Sequence, residues 1–131
     1  MKNIFLWIII IIIGFILYNN TYPITEQFNE NDKVIIKVFN FNTSWCGWSK
    51  KFHPEWNKFT QLIIDNKLNH IQAYDIKCDD DSNSQICKEY DVPRYPYIVI
   101  EKMTNTNSKP DRIIYDQDRT AETLLSYINQ L

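Results

Sequence analysis

Trp45-Cys46-Gly47-Trp48-Ser49-Lys50-Lys51-Phe52 places one thiol, with a serine three residues on, at the junction of two differently patterned segments. Before it, Val34-Ile35-Ile36-Lys37-Val38-Phe39 is β-branched and apolar enough for a buried strand. After it, Phe52, Trp56, Phe59 and Ile63 recur at helical spacing as far as about Asn66. Cys46 therefore stands where a strand gives way to a helix. Backbone N–H groups at a helix N-terminus and the helix dipole favour a thiolate over a thiol, and Lys50 and Lys51 add positive charge nearby. Ser49 can turn its hydroxyl toward the sulfur and donate a hydrogen bond, but it cannot form a disulfide. Such a cysteine can capture a disulfide and cannot release itself.

With these residues the chain resembles the thioredoxin fold, and within it the a-type domains of protein disulfide isomerases, whose motif reads Trp-Cys-Gly-His-Cys-Lys. Pro54 lies eight residues after Cys46, where thioredoxins carry the proline of the active-site helix, an unusual residue for a helix interior. Cys87-Lys88-Glu89-Tyr90-Asp91-Val92-Pro93-Arg94-Tyr95-Pro96 is similar to the isomerase pattern of tyrosine, x, valine, x, glycine, tyrosine, proline. The likeness makes Pro96 the cis-proline that faces the active site. Tyr115-Asp116-Gln117-Asp118-Arg119-Thr120 is similar to the segment Tyr-x-Gly-Gly-Arg-Thr before the last helix, whose arginine tunes the second active-site cysteine in the family. The landmarks run in order from Val34 to Leu131. What the resemblance implies is an α/β thioredoxin-like fold, a central mixed sheet of about four strands with flanking helices. It also makes Cys46 and Ser49 the catalytic positions, surrounded by Trp45, Gly47, Trp48, Tyr95, Pro96 and Arg119.

The departures from that pattern concern one step. Besides Ser49 in place of the resolving cysteine, Asn40 stands six residues before Cys46, where the family has a buried Asp or Glu that moves protons in the second half of the exchange. Arg94 replaces the glycine two before the cis-proline and Tyr97 the threonine after it, which bears on the shape of the substrate groove.

Composition bounds the rest. Of 131 residues about 100 are left for a globular core, enough for one α/β domain and not for two. Four Trp, eight Tyr and seven Phe supply large apolar area for a small fold. The net charge is −2, and without Lys2 there are 13 basic against 16 acidic residues with no basic cluster, which argues against nucleic-acid binding.

Ile4 to Tyr18 is an unbroken apolar run behind Lys2. A helix of that length covers roughly 22 Å at about 1.5 Å per residue, short of a hydrocarbon core of about 30 Å, although flanking polar residues can snorkel. It reads as a signal peptide or a membrane anchor. No small-x-small cleavage pattern follows it, which favours an uncleaved signal anchor over residues 1–18, then a polar stalk over 19–32 and the thioredoxin-like domain over 33–131. With Lys2 on one side and Glu26, Glu30 and Asp32 on the other, the positive-inside tendency puts the N-terminus in the cytoplasm and the domain in a lumen or outside, in the secretory pathway or a viral envelope.

On an oxidising side Cys78 and Cys87 read differently. They flank Asp79-Asp80-Asp81-Ser82-Asn83-Ser84, and some isomerase domains carry a structural cysteine pair at this place, so the resemblance implies a local disulfide; two free thiols are the alternative. The aspartates read as a solvated turn. His70, the aspartates and the two cysteines lack metal-ligand spacing, so no metal is expected, and no cofactor is called for by the leading reading.

Periodicity predicts strands at about 33–41, 70–77, 97–102 and 111–115, helices at 46–66 and 84–90, and a last helix with Leu124, Ile128 and Leu131 on one face. Sequons occur at Asn19 and Asn42. His53 reads as a surface histidine two helical turns past Cys46. Trp48 is either a contact surface for unfolded clients or is tucked against Tyr95 or Tyr97.

The leading expectation is monothiol exchange: Cys46 attacks a disulfide in a cysteine-containing client, and a client thiol, glutathione or another small thiol resolves the adduct. Isomerisation or mixed-disulfide capture near a membrane, held through residues 4–18, suits this better than net reduction. A second reading is a non-catalytic peptide-binding or assembly module. A third follows from similarity to the Cys-Gly-Phe-Ser tetrad of monothiol glutaredoxins, which hold an iron–sulfur cluster with glutathione, but no glycine pair follows the cis-proline to form their groove.

Overall fold

The computed structural model describes residues 2–21, 34–104 and 109–131. The chain divides into two compact units, Met1–Glu30 and Asn31–Leu131.

The first unit contains α1, Lys2–Thr21. The helix continues past the apolar run through Asn19, Asn20 and Thr21. A helix already nucleated carries a polar turn at small cost, and the next strong breaker is Pro23. Of the expected stalk, these three residues are helical and 22–32 lie outside the described residues. Trp7, Ile8 to Ile13 and Phe15 are all exposed, so α1 shows apolar side chains all round rather than a stripe. Among the described residues no helix is long and apolar enough to cross a membrane. The transmembrane helix expected there is thus not shown.

In the second unit the chain runs β1 (Ile35–Asn42), α2 (Gly47–Asp65), β2 (Ile71–Lys77), a short 3₁₀ turn (Asp81–Asn83), α3 (Ser84–Glu89), β3 (Tyr97–Met103), β4 (Asp111–Tyr115) and α4 (Ala121–Ile128). The sheet order is β2-β1-β3-β4. β1 pairs parallel with β2 and antiparallel with β3, and β3 pairs antiparallel with β4, the mixed four-stranded sheet that the resemblance implies.

β1 is covered on both faces, which explains its apolar run. Ile36 and Val38 point to one side and pack with Phe52, Trp56 and Phe59 of α2 and with Leu124 and Ile128 of α4. Phe39 and Phe41 point to the other and pack with Tyr97 and Val99, against Ile86 and Tyr90. Glu55 Oε2 accepts from the Ala121 N–H at 2.9 Å, and Lys58 pairs with Glu122, so α2 and α4 are joined at α4's first turn. Leu131 lies past the end of α4 and still packs against the core.

The aspartate run is an exposed turn, as expected. Asp80 Oδ1 accepts from the Ser82 N–H at 2.9 Å and starts the 3₁₀ turn that leads into α3, so helical structure begins at Asp81, ahead of the predicted 84. Asn42 is 8% exposed and its Nδ2 donates to the Asn40 carbonyl and to Asp75, which leaves no free amide for a glycan in the folded domain.

Candidate active site

Cys46 is the N-cap of α2, with extended backbone (φ −75°, ψ 121°), and is a free, half-buried thiol. Its Sγ donates to the Tyr95 carbonyl at 3.5 Å, in the loop before β3. The Tyr95–Pro96 peptide is cis, and Pro96 is fully buried. The thiol is held below the ordinary cysteine range by the Ser49 backbone N–H first, with its partial desolvation opposing and the Ser49 hydroxyl and Trp48 N–H adding to the lowering. This is the open N–H fan of a helix start. The charges of Lys50 and Lys51, expected to help, are not among the causes. Lys51 instead places its ammonium 5.3 Å from the centre of the Trp48 ring, and Lys50 lines a cavity on the other side of α2.

Ser49 is 6% exposed, and its Oγ accepts from the Thr43 N–H at 3.5 Å. Gly47 has open space where a Cβ would stand. Trp45 and Trp48 flank Cys46 at 68% and 66% exposure. It is Trp45 whose ring meets Tyr95 edge-on, at 6.1 Å and 87°, while Trp48 is tucked against neither tyrosine. Tyr97, which stands where the family has a threonine, turns into the Phe39 and Phe41 core. Arg94 Nη2 donates to Asp116 Oδ1 at 3.0 Å and ties the cis-proline loop to the loop after β4. Arg119 lines a cavity of about 590 Å³ with Trp48, Lys51 and Phe52, and makes no ion pair among the described residues.

Beneath the site, Asn40 is 3% exposed and donates from Nδ2 to Asp75 Oδ1 at 2.8 Å, while Asn42 donates to the same oxygen at 2.7 Å. Asn40 Oδ1 is buried without a partner among the described residues. The site thus has a neutral amide where the resemblance leads one to look for an acid, and the nearest carboxylate stands one strand over. Sequence reasoning missed Asp75. The available signal was an acidic residue in mid-strand whose register partner in β1 is Asn40.

It also missed Asp79. The Asp79 carboxylate accepts from the Ser44 N–H at 2.9 Å and from the Ser44 hydroxyl, which together hold it below the usual carboxylate range. This joins the loop before Cys46 to the loop after β2. Cys78 and Cys87 form a disulfide (S–S 2.04 Å) between that loop and α3. His53 is exposed and in hydrogen-bond reach of Asn57, and it shares with Ser49 the cavity behind α2. Among the described residues no group of three His, Cys, Asp or Glu could hold a metal ion.

The thioredoxin family model matches residues 20–130. The chain is 29% identical over 108 residues to the protein disulfide-isomerase of Saccharomyces cerevisiae, covering 79% of this chain and 19% of that protein. It is 26% identical over 111 residues to human endoplasmic reticulum resident protein 44, covering 85% of this chain and 26% of that one. A crystal structure of human ERp44 superposes with a TM-score of 0.59 at 26% identity, over 81% of this chain and 30% of that chain. The chain thus spans about a quarter or less of the curated relatives named here. With a family match over nearly its whole second unit and beyond, the chain belongs to the thioredoxin family.

Proposed function

We propose that this domain carries out thiol–disulfide exchange through the single thiolate of Cys46. The Cys46 thiolate attacks one sulfur of a client disulfide; a new S–S bond forms, the old one breaks, and the client's other sulfur leaves as a thiolate that takes a proton from water. A second thiol, from the client or a small molecule such as glutathione, then attacks the adduct and returns Cys46 as a thiolate. Ser49 donates its hydroxyl to that thiolate and, having no sulfur, cannot expel the client. Cycles of this kind rearrange or hold disulfides with no net electron transfer, which suits an isomerase or a retention factor better than a reductase. The observation that carries the reading is a free, half-buried thiol at the first turn of α2, its charge favoured by backbone N–H groups and a buried serine hydroxyl.

Localisation follows the same way. The Cys78–Cys87 disulfide suits an oxidising compartment, and one similar protein is named as resident in the endoplasmic reticulum, so we place the domain in the secretory lumen. The all-round apolar surface of α1 supports attachment of residues 4–18 to a membrane, with the domain on the lumenal side.

The test is the pH dependence of Cys46 alkylation in the full chain, with Cys46→Ala as the blank, followed by recovery of mixed disulfides from cells under acid quench. A reactive thiolate well below about pH 8.5 and adducts that vanish in Cys46→Ala are expected. An ordinary thiol without adducts would move the assignment to a peptide-binding module. The exposed pair Trp45 and Trp48 favours that second reading, and binding would then survive Cys46→Ala.

A further inference from the structure

A second cavity of about 280 Å³ lies on the side of α2 carrying Ser49, Lys50 and His53. Its other walls are Asn42 from the end of β1, Thr43 and Ser44 from the loop after it, and Lys77 from the end of β2. Asn42 and Lys77 are register partners, so both face α2 at the same level of the sheet. Lys50 and Lys77 form no ion pair among the described residues. No carboxylate is in the lining. Three stand behind it, already engaged: Asp75 accepts from Asn42, Asp79 accepts from Ser44, Asp80 accepts from Ser82, and the charge of Lys77 reaches Asp79 and Asp80 only weakly. Thr43, 3% exposed, keeps a buried hydroxyl with no partner among the described residues. Two ammonium groups, an imidazole and several hydroxyls around a space below the range of drug-sized pockets fit a small anion rather than a peptide or a nucleotide.

We propose that this cavity binds a small oxyanion, a phosphate or carboxylate group held by Lys77, Lys50 and His53, and that its occupant slows Cys46 by competing for the Ser49 hydroxyl. Ser49 lines the cavity, and its backbone N–H and hydroxyl are among the groups that favour the Cys46 thiolate. An anion there draws the serine proton to itself, which acts against the charged sulfur. Loss of one hydrogen-bond donor to the thiolate lowers its reactive fraction about two- to fourfold. The site thus makes the nucleophile responsive to the anions of its compartment. Its effect on rate rests on the reading of Cys46 as the nucleophile; its occupancy does not.

The probes are inorganic phosphate, acetate and chloride, matched in ionic strength, titrated against the full-length protein in micelles. Two readouts run together: the iodoacetamide rate at Cys46, and the backbone amide shifts of Thr43, Ser44 and Lys77. Phosphate or acetate is expected to saturate, shift those amides and slow alkylation about two- to fourfold, and the tighter of the two identifies a phosphoryl or a carboxylate occupant. Lys77→Gln is expected to abolish shifts and slowing while the remaining spectrum stays as it was. Equal, unsaturating responses to all three salts, or full saturation retained in Lys77→Gln, would overturn the site. The amide shifts report binding whether or not Cys46 reacts, so failure of the site and failure of the exchange function are told apart.

Discussion

Removing the Cys78–Cys87 disulfide separates the cysteine that reacts from the cysteines that hold the domain together. In a Cys78→Ala, Cys87→Ala variant the closed loop of sequence separation 9 opens in the unfolded chain. Loop-closure entropy for that separation amounts to about 8.6 cal/mol/K, or about 2.6 kcal/mol at 25 °C. Trimming two half-buried sulfurs that pack beside Ile86 and Tyr90 adds less than about 1 kcal/mol each. For a unit of this size that is a fall in melting midpoint of the order of 10–20 °C. The assay is urea and thermal unfolding of the full chain by circular dichroism, with Cys46 alkylation followed in the same samples. The expected result is a domain weaker by about 3 kcal/mol whose Cys46 still alkylates, because the thiolate is favoured by α2 and not by the loop after β2. A stability loss under about 1 kcal/mol would refute the entropic reasoning. Loss of client adducts with the fold intact would refute the assignment of exchange to Cys46 and point to Cys78 and Cys87 as the redox pair.

Other outcomes follow from the same geometry. Ser49→Ala removes the hydroxyl donor to Cys46 and should raise the pH midpoint of alkylation with little loss of fold, since Thr43 N–H holds it only at 3.5 Å; an unchanged midpoint would show that the backbone N–H groups suffice. Trp45→Ala and Trp48→Ala should cut recovery of mixed disulfides without moving the unfolding midpoint, both indoles being about two-thirds exposed. Phe59→Ala empties a fully buried position between sheet and helix and should cost about 3–5 kcal/mol in urea unfolding. The Tyr90 hydroxyl is pushed up to about 12 by burial and by donating to Glu101 at 2.8 Å. The folded state therefore keeps a proton that the unfolded chain loses near pH 10, so stability falls as pH rises from about 10 to 12. Tyr115, also raised by burial, acts in the same direction, and Tyr90→Phe should flatten part of the fall in pH-dependent unfolding.

The amino-acid sequence by itself determined the local features. Val34 to Phe39 read as a buried strand, Phe52, Trp56 and Phe59 as the apolar side of one helix, and Cys46 between them as the start of that helix. Such statements depend on spacing within a dozen residues, which a linear chain displays. The position of each strand and helix in the second unit was therefore legible, with errors of a residue or two at the ends, as at Asn42 and Asp65, whereas the mixed sheet came from the resemblance. What lay beyond reach depended on partners brought together by register. Asn40 meets Asp75, Ser44 meets Asp79, and Arg94 meets Asp116 across 35, 35 and 22 residues. Each is a polar contact of short reach, and a shift of one residue in the pairing of β1 with β2 would undo the first by turning Asp75 to the other face. Only the tertiary structure decided that His53 and Lys77 share a cavity with Ser49, that Tyr97 turns away from the thiol, and that Trp45 rather than Trp48 rests on Tyr95. Hydrophobic periodicity tells which face of an element is buried, whereas the partner across the gap is set by how the sheet aligns the strands.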